Sequence, residues 1–179
     1  MGPKPQALAA RLTKHHEQLR RSSTAIAQLS GLSRSYYVGL RTGQRTRISI
    51  FKLRRLCEDG LRLSESAALD IFRERLQMGL AQRSPFPVEF FWRLAHFDAW
   101  EQIARLIGVD RSYVVKIVHG QRVPSFVIMQ ALGQLLGYSE QDSMRFQVAC
   151  HKFQAQQLRR AHQTSARKST TRRDGVETK

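Results

Sequence analysis

A fifteen-residue pattern occurs twice in this sequence. The stretch GLSRSYYVGLRTGQR covers residues 31–45 and the stretch GVDRSYVVKIVHGQR covers residues 108–122, an offset of 77 positions with 8 of 15 residues identical. Self-similarity at a fixed offset is the mark of one supersecondary unit used more than once. The chain has 179 residues, which is enough for two small domains. We therefore predict one domain over residues 1–83 and a second over residues 84–157.

Both halves of the chain have the sequence pattern of short helices. Apolar residues recur at intervals of three and four, as in Ile50, Leu53 and Leu56. Strand signals are few, with no Asn-Gly turn and no sustained alternation of apolar and polar residues. The sequence predicts an all-α protein built of two tandem helix-turn-helix bundles of about five helices each. Residues suited to helix N-caps begin several of the apolar runs: Ser33, Asp110, Ser125 and Ser139.

The repeated unit has the spacing that two tightly crossing helices require. A small residue lies where the helices would touch, and a glycine follows four positions later, where a left-handed backbone is needed. An aromatic or β-branched residue six positions after each glycine is expected to face the core. The paired positions are Ala27 and Ala104, Gly31 and Gly108, and Tyr37 and Val114.

Both units resemble the lambda-repressor-like, Cro-type helix-turn-helix family, whose domains are compact bundles of about five helices. The resemblance covers roughly residues 6–80 and residues 86–157. The second copy has the fuller pattern, because Gly120 and Pro124 match the loop of the family and a helix ending in a Leu-Gly pair follows. The first copy departs from it, with Arg47 in place of the proline. The resemblance implies binding to double-stranded DNA.

In this family the second helix of the motif enters the DNA major groove with its first residues facing base edges. Arginine suits that position because its guanidinium forms a bidentate pair with guanine O6 and N7. The residues expected to contact bases are therefore Ser33, Arg34 and Ser35 in the first copy and Arg111, Ser112 and Lys116 in the second. Those expected to contact the DNA backbone, and so to fix register without reading sequence, are Thr24, Tyr36, Gln44, Arg45, Arg47, Tyr113, Gln121 and Arg122.

The net charge of +16 supports a polyanionic partner. Its distribution is uneven, since residues 1–83 carry a net charge of +10, residues 84–157 carry +1 and residues 158–179 carry +5. The last segment has almost no large apolar side chains, so we expect it to be a disordered basic tail that trails along phosphates. RNA has less support than DNA as the partner, because no aromatic stacking platform is visible.

Several other classes of protein lack a signal in the sequence. No Ser, His and Asp set, Walker loop or Gly-x-Gly-x-x-Gly motif is present, so we expect no enzyme activity and no cofactor. The histidines are scattered and no Cys-x-x-Cys occurs, so we expect no metal site. No apolar run approaches the ~20 residues that span a bilayer. We expect a cytoplasmic, nucleoid-associated protein in which Cys57 and Cys150 are buried thiols.

Two functions remain in play. In the first, the chain is a sequence-specific transcription regulator, acting as a repressor or autoregulator of a phage-like or mobile-element operon of bacterial or phage origin. In the second, the nearly neutral second half mediates dimerisation or partner docking, and the protein is a DNA-tethered adaptor or co-regulator. The sequence leaves open whether the protein binds DNA as a monomer or as a homodimer.

Overall fold

A computed structural model of the protein describes residues 6–77 and 84–173. These residues form ten α-helices and no strand, which confirms the all-α class. The first half contains α1 (Gln6–Leu19), α2 (Ser23–Leu29), α3 (Arg34–Arg41), α4 (Ile50–Arg55) and α5 (Glu65–Gln77), with a π-helical turn at Leu56–Gly60 after α4. The second half contains α6 (Val88–Leu94), α7 (Trp100–Leu106), α8 (Arg111–Val118), α9 (Phe126–Leu135) and α10 (Glu140–Arg173).

The helix starts follow the capping residues closely, with one exception. The Ser33 hydroxyl accepts the Tyr36 amide at the start of α3, and Ser125 accepts the Ile128 amide in the same way at α9. Asp110 occupies the N-cap position of α8, but its side chain accepts no amide hydrogen bond. It accepts the Ser112 hydroxyl instead, at 3.1 Å. Asp110 is therefore at the predicted N-cap position, but its carboxylate accepts a side-chain hydroxyl and no first-turn amide.

The two repeated units contain the same backbone turn between their helices. Gly31 and Gly108 adopt φ values of +64° and +69°, in the left-handed region that favours glycine. In the first copy the Leu32 amide donates to the Ala27 carbonyl at 2.8 Å. In the second copy the Val109 amide donates to the Ala104 carbonyl at 3.0 Å. This is the Schellman arrangement, which satisfies the last carbonyls of the first helix and turns the chain into the second.

The core residues of the repeated units lie where the spacing predicts. The small residues of the helix crossing are buried, and so are Tyr37 and Val114, which both have no exposed surface. The second helix of each motif thus buries one face and leaves its leading end toward solvent. The fold of both units is carried by the same positions: Ala27 and Ala104, Leu32 and Val109, Leu40 and Ile117.

Side chains from both halves pack together across the predicted boundary at residue 83. Helix α6 packs against α4 and α5, and the buried side chains of the described residues form one cluster. Phe51 of α4 meets Trp100 of α7 edge to face, with ring centroids 4.9 Å apart. Phe72 of α5 meets Trp92 of α6 in the same geometry at 5.0 Å. The boundary itself adjoins residues 78–83, which lie outside the described residues, and the division into two domains stays a prediction.

The C-terminal helix extends well beyond the bundle. Helix α10 packs on α9 through its first turns, and the side chains of residues 158–163 are all exposed, as expected of a segment that contributes no core. The backbone nevertheless stays helical to Arg173, where the sequence analysis expected disorder from residue 158. Arg, Lys, Gln and Ala have favourable helix propensities, and extending an existing helix avoids the cost of nucleation. Residues 174–179 lie outside the described residues.

None of the helices in the described part of the chain combines the length and the hydropathy that a membrane crossing requires.

Candidate nucleic-acid interface

The leading end of α8 presents polar and charged side chains to solvent. Arg111, Ser112 and Lys116 are all exposed. The Arg111 Nε atom lies 2.9 Å from Oε1 of Glu101, a residue in the first turn of α7. The Ser112 hydroxyl donates to Asp110. Arg111 and Ser112 therefore share the exposed leading end of α8 with two carboxylates beside them, whereas Lys116 lies in the last turn of the helix.

The leading end of α3 is equally exposed but has different neighbours. Ser33, Arg34 and Ser35 are all accessible to solvent. The Ser33 hydroxyl caps α3 and also lies 3.3 Å from the Ser35 hydroxyl, so its first role is structural. Within the described residues no carboxylate forms an ion pair with Arg34. Arg34 is thus an exposed cation at this helix end with no carboxylate partner among the described residues.

The loops that follow α3 and α8 have matching backbones. Gly43 and Gly120 end the helices with φ values of +78° and +67°. The Arg45 amide then donates to the Gly39 carbonyl at 2.8 Å, and the Arg122 amide donates to the Lys116 carbonyl at 3.3 Å. The loop residues expected to contact phosphates are exposed in both copies: Gln44, Arg45, Arg47, Gln121 and Arg122.

An arginine of each loop stacks on a tyrosine of the preceding helix. The Arg45 guanidinium carbon lies 5.1 Å from the centroid of the Tyr36 ring, and the Arg122 guanidinium carbon lies 4.6 Å from that of Tyr113. A cation over an aromatic face is held there by the ring quadrupole. The two copies share this Tyr and this Arg nine positions apart, a spacing that could have indicated the pairing but was not used to predict it.

Tyr36 and Tyr113 are among the residues expected to contact the DNA backbone. The Tyr36 hydroxyl already donates to the Arg47 carbonyl. The Lys52 amine also approaches the Tyr36 ring, 6.0 Å from its centroid. In the first copy the Tyr36 ring therefore has two cations over it, and its hydroxyl holds the backbone of the loop that follows α3.

The first copy has a close contact that the second lacks. A Cβ atom on Gly39 would lie 3.0 Å from both Cγ and Cδ of Arg45, which is tighter than ordinary packing. The glycine thus lets Arg45 lie across α3. The equivalent position in the second copy is Lys116, which brings its own exposed charge to the same part of the helix. The two copies place a cation there by different means.

The first turn of the preceding helix also differs between the copies. Thr24 of α2 is exposed and uncharged, whereas the equivalent residue of α7 is Glu101. A phosphate approaching the first copy would meet a hydroxyl, and one approaching the second would meet a carboxylate. The second copy is therefore the less favourable of the two for a polyanion at this point.

Groups with perturbed pKa values lie behind the exposed helix ends. Burial raises the pKa of Tyr37 to about 12, and its hydroxyl lies 3.0 Å from Nδ1 of His16. Burial, with Arg41 nearby, lowers the pKa of His16. Burial also lowers the pKa of Arg75, whose Nε donates to the Ile48 carbonyl at 3.1 Å and so supports the loop after α3.

The two cysteines are buried and reduced, as the sequence predicts. Burial raises the pKa of Cys150 to about 12 and raises that of Cys57 as well. Both are therefore protonated, unreactive thiols. No group of three or more His, Cys, Asp or Glu side chains with the arrangement of a metal site occurs among the described residues.

Comparison with known protein families finds a similarity in the second repeated unit. The helix-turn-helix family model matches residues 99–142, which span α7, α8, α9 and the start of α10. No curated protein and no solved structure matches the chain significantly. This match supports one helix-turn-helix domain in the second half of the chain. The match covers the copy with the fuller loop pattern. It does not include the first copy, whose likeness to this family rests on its similarity to the second copy.

Proposed function

We propose that this protein is a sequence-specific regulator of transcription that binds double-stranded DNA through both repeated units. In this account it acts as a repressor or autoregulator of a phage-like or mobile-element operon. Helices α3 and α8 enter successive major grooves, and the loops after them contact phosphates. Arg34 and Arg111 carry the principal base contacts, each a candidate for a bidentate pair with guanine.

The observation that carries this proposal is the equivalence of the two units. The second matches the helix-turn-helix family, and the first repeats its turn, its buried positions and its Tyr–Arg stack. A surface arginine is ordinarily a solvated charge. Here both arginines stand at the start of the helix that the family inserts into DNA. Retention of both suggests that both units bind.

The charge distribution supports different contributions of the two units to DNA binding. The first 83 residues carry a net charge of +10 and residues 84–157 carry only +1. Each phosphate neutralised by Lys or Arg adds affinity that falls with salt. The first unit is therefore expected to supply most of the electrostatic affinity, and the second to contribute mainly through its base contacts.

The test is a pair of single substitutions, Arg34→Ala and Arg111→Ala, each measured for binding to the DNA upstream of the protein's own gene at one fixed salt concentration. Loss of one bidentate contact is worth about 1–3 kcal/mol, or roughly five- to 150-fold in affinity. Lys14→Ala and Arg145→Ala are the matched controls, because both residues are exposed and lie on helices outside the two motifs. The proposal requires both motif variants to lose affinity and both controls to keep it.

A second function, the DNA-tethered adaptor, is favoured by one observation. The second unit is nearly neutral, and its principal arginine is paired with Glu101. In that account the second unit mediates dimerisation or partner docking. An Arg111→Ala protein with undiminished affinity, alongside an Arg34→Ala protein that fails to bind, would select the adaptor over the two-unit reader.

A further inference from the structure

The ion pair between Glu101 and Arg111 joins the two helices of the second motif at their leading ends. Glu101 lies in the first turn of α7, and Arg111 is the first residue of α8. The contact runs from Oε1 to Nε over 2.9 Å, with side-chain exposures of 57% and 61%. The pair therefore lies at the surface, where the proposed function places DNA.

The atom that Glu101 engages determines what remains of the arginine. A guanidinium has N–H donors on different sides: Nε lies next to the aliphatic part of the side chain, and Nη1 and Nη2 lie at its far end. With Nε directed at the carboxylate, Nη1 and Nη2 remain for a bidentate pair with O6 and N7 of a guanine. The carboxylate also limits the rotation of a long, flexible side chain, so less freedom is lost when the base contact forms.

The first motif lacks this arrangement. The position equivalent to Glu101 is Thr24, and within the described residues Arg34 has no carboxylate partner. A carboxylate beside the groove repels phosphates and reduces the affinity for any duplex. Glu101 thus lowers the affinity of the second motif for DNA of any sequence. A better orientation of Arg111 toward a base could offset this loss.

We propose that Glu101 is a positioning residue that sets the base preference of the second motif by holding Arg111 for a guanine. This inference rests on the proposed function, because it requires α8 to read bases. It assigns unequal tasks to the two motifs. The first binds strongly with a mobile arginine, and the second binds weakly with an oriented one.

The experiment uses the full chain and a duplex that the unmodified protein selects from a random library. Binding is measured to that duplex, to the duplex with the contacted G·C pair changed to A·T, and to an unrelated duplex. The variants are Glu101→Ala, which removes the acceptor, Glu101→Gln, which keeps an oxygen acceptor without the charge, and Arg111→Ala. Circular dichroism checks that each variant is folded, which is expected because an exposed ion pair contributes little to stability.

Without the Glu101 carboxylate, the affinity for any duplex should rise and the discrimination between G·C and A·T should fall. Glu101→Ala should bind the unrelated duplex more tightly and lose about tenfold of its preference for G·C over A·T. Glu101→Gln should also gain general affinity but keep most of the preference, because its amide oxygen still accepts from Nε.

Two results would overturn the inference. Only the second of them would also overturn the proposed function of the second motif. If Arg111→Ala loses the preference while Glu101→Ala keeps it in full, α8 reads bases but Glu101 has no part in it. If Arg111→Ala itself keeps the preference, α8 does not read that base pair, and the proposed function of the second motif is lost together with the inference.

Discussion

The guanidinium of Arg122 lies 4.6 Å from the centroid of the Tyr113 ring, and Arg45 repeats the contact over Tyr36. The two arginines come from loops and the two tyrosines from the helices before them. Each stack places a loop cation beside the helix that is proposed to enter DNA. The pair recurs in both copies, and under the proposed function it is part of the binding surface.

Replacing Tyr113 with leucine should weaken binding to all duplexes by about the same factor. A cation–π contact at an exposed site is worth about 0.5–1 kcal/mol, which corresponds to roughly two- to fivefold in affinity. Titrations against a specific and an unrelated duplex would measure it. Tyr113→Phe is the control, since it keeps the ring and should bind like the unmodified protein. A Tyr113→Phe defect as large as that of leucine would assign the role to the hydroxyl instead.

A methyl group on Gly39 should displace Arg45 and weaken the first motif. The added Cβ would lie 3.0 Å from two carbons of the Arg45 side chain. Alanine is favoured over glycine in a helix by about 1 kcal/mol. We expect this gain in helix propensity to offset the cost of the close contact with Arg45, so that Gly39→Ala changes the stability little. We expect weaker DNA binding with a nearly unchanged melting temperature. Binding equal to that of the unmodified protein would show that the position of Arg45 is unimportant.

Phe51→Ala should destabilise both halves of the molecule together. Phe51 is buried and contacts Trp100 across the predicted domain boundary. Truncation of a buried phenylalanine costs about 3–5 kcal/mol. Unfolding by denaturant, followed by helical circular dichroism and by tryptophan fluorescence, should give one coincident transition at a lower midpoint. Phe126→Ala, at an exposed position, should shift the midpoint far less. Two separate transitions in the unmodified protein would contradict a shared core.

Stability should decline as the pH falls below about 6.5, the ordinary pKa of histidine. Burial lowers the pKa of His16 in the folded state, so the unfolded chain takes up a proton first and gains stability relative to the fold. The contribution is fully present above pH 6.5 and is lost as the pH falls through the folded pKa. His16→Gln, which can still bond the Tyr37 hydroxyl, should flatten this part of the stability profile. An unaltered profile would exclude His16 as its source.

The features predictable from the sequence are local ones. The left-handed glycines, the serine caps and the burial of Tyr37 and Val114 follow from spacing, because each depends on residues within one or two turns. Asp110 lies at the predicted N-cap of α8, but its carboxylate accepts the Ser112 hydroxyl two positions away and no first-turn amide. This difference in hydrogen bonding also arises within one turn of helix.

The contacts that span the chain could not be predicted in the same way. Phe51 and Trp100 are 49 positions apart, and no periodicity indicates that they meet. The continuation of α10 to Arg173 depends on a helix already started by packing on α9. The ion pair of Glu101 with Arg111 joins two helices whose crossing had to be known first. Aligning the two copies does, however, show the exchange of Thr24 for Glu101.

Chemical protection of guanine N7 on the bound duplex tests the central claim most directly, because a bidentate arginine occupies that atom. We predict two clusters of protected guanines in successive major grooves. Arg34→Ala should remove one cluster and Arg111→Ala the other. A single cluster that Arg111→Ala leaves intact, or a bound duplex with no protected guanine, would contradict the claim that both motifs read DNA.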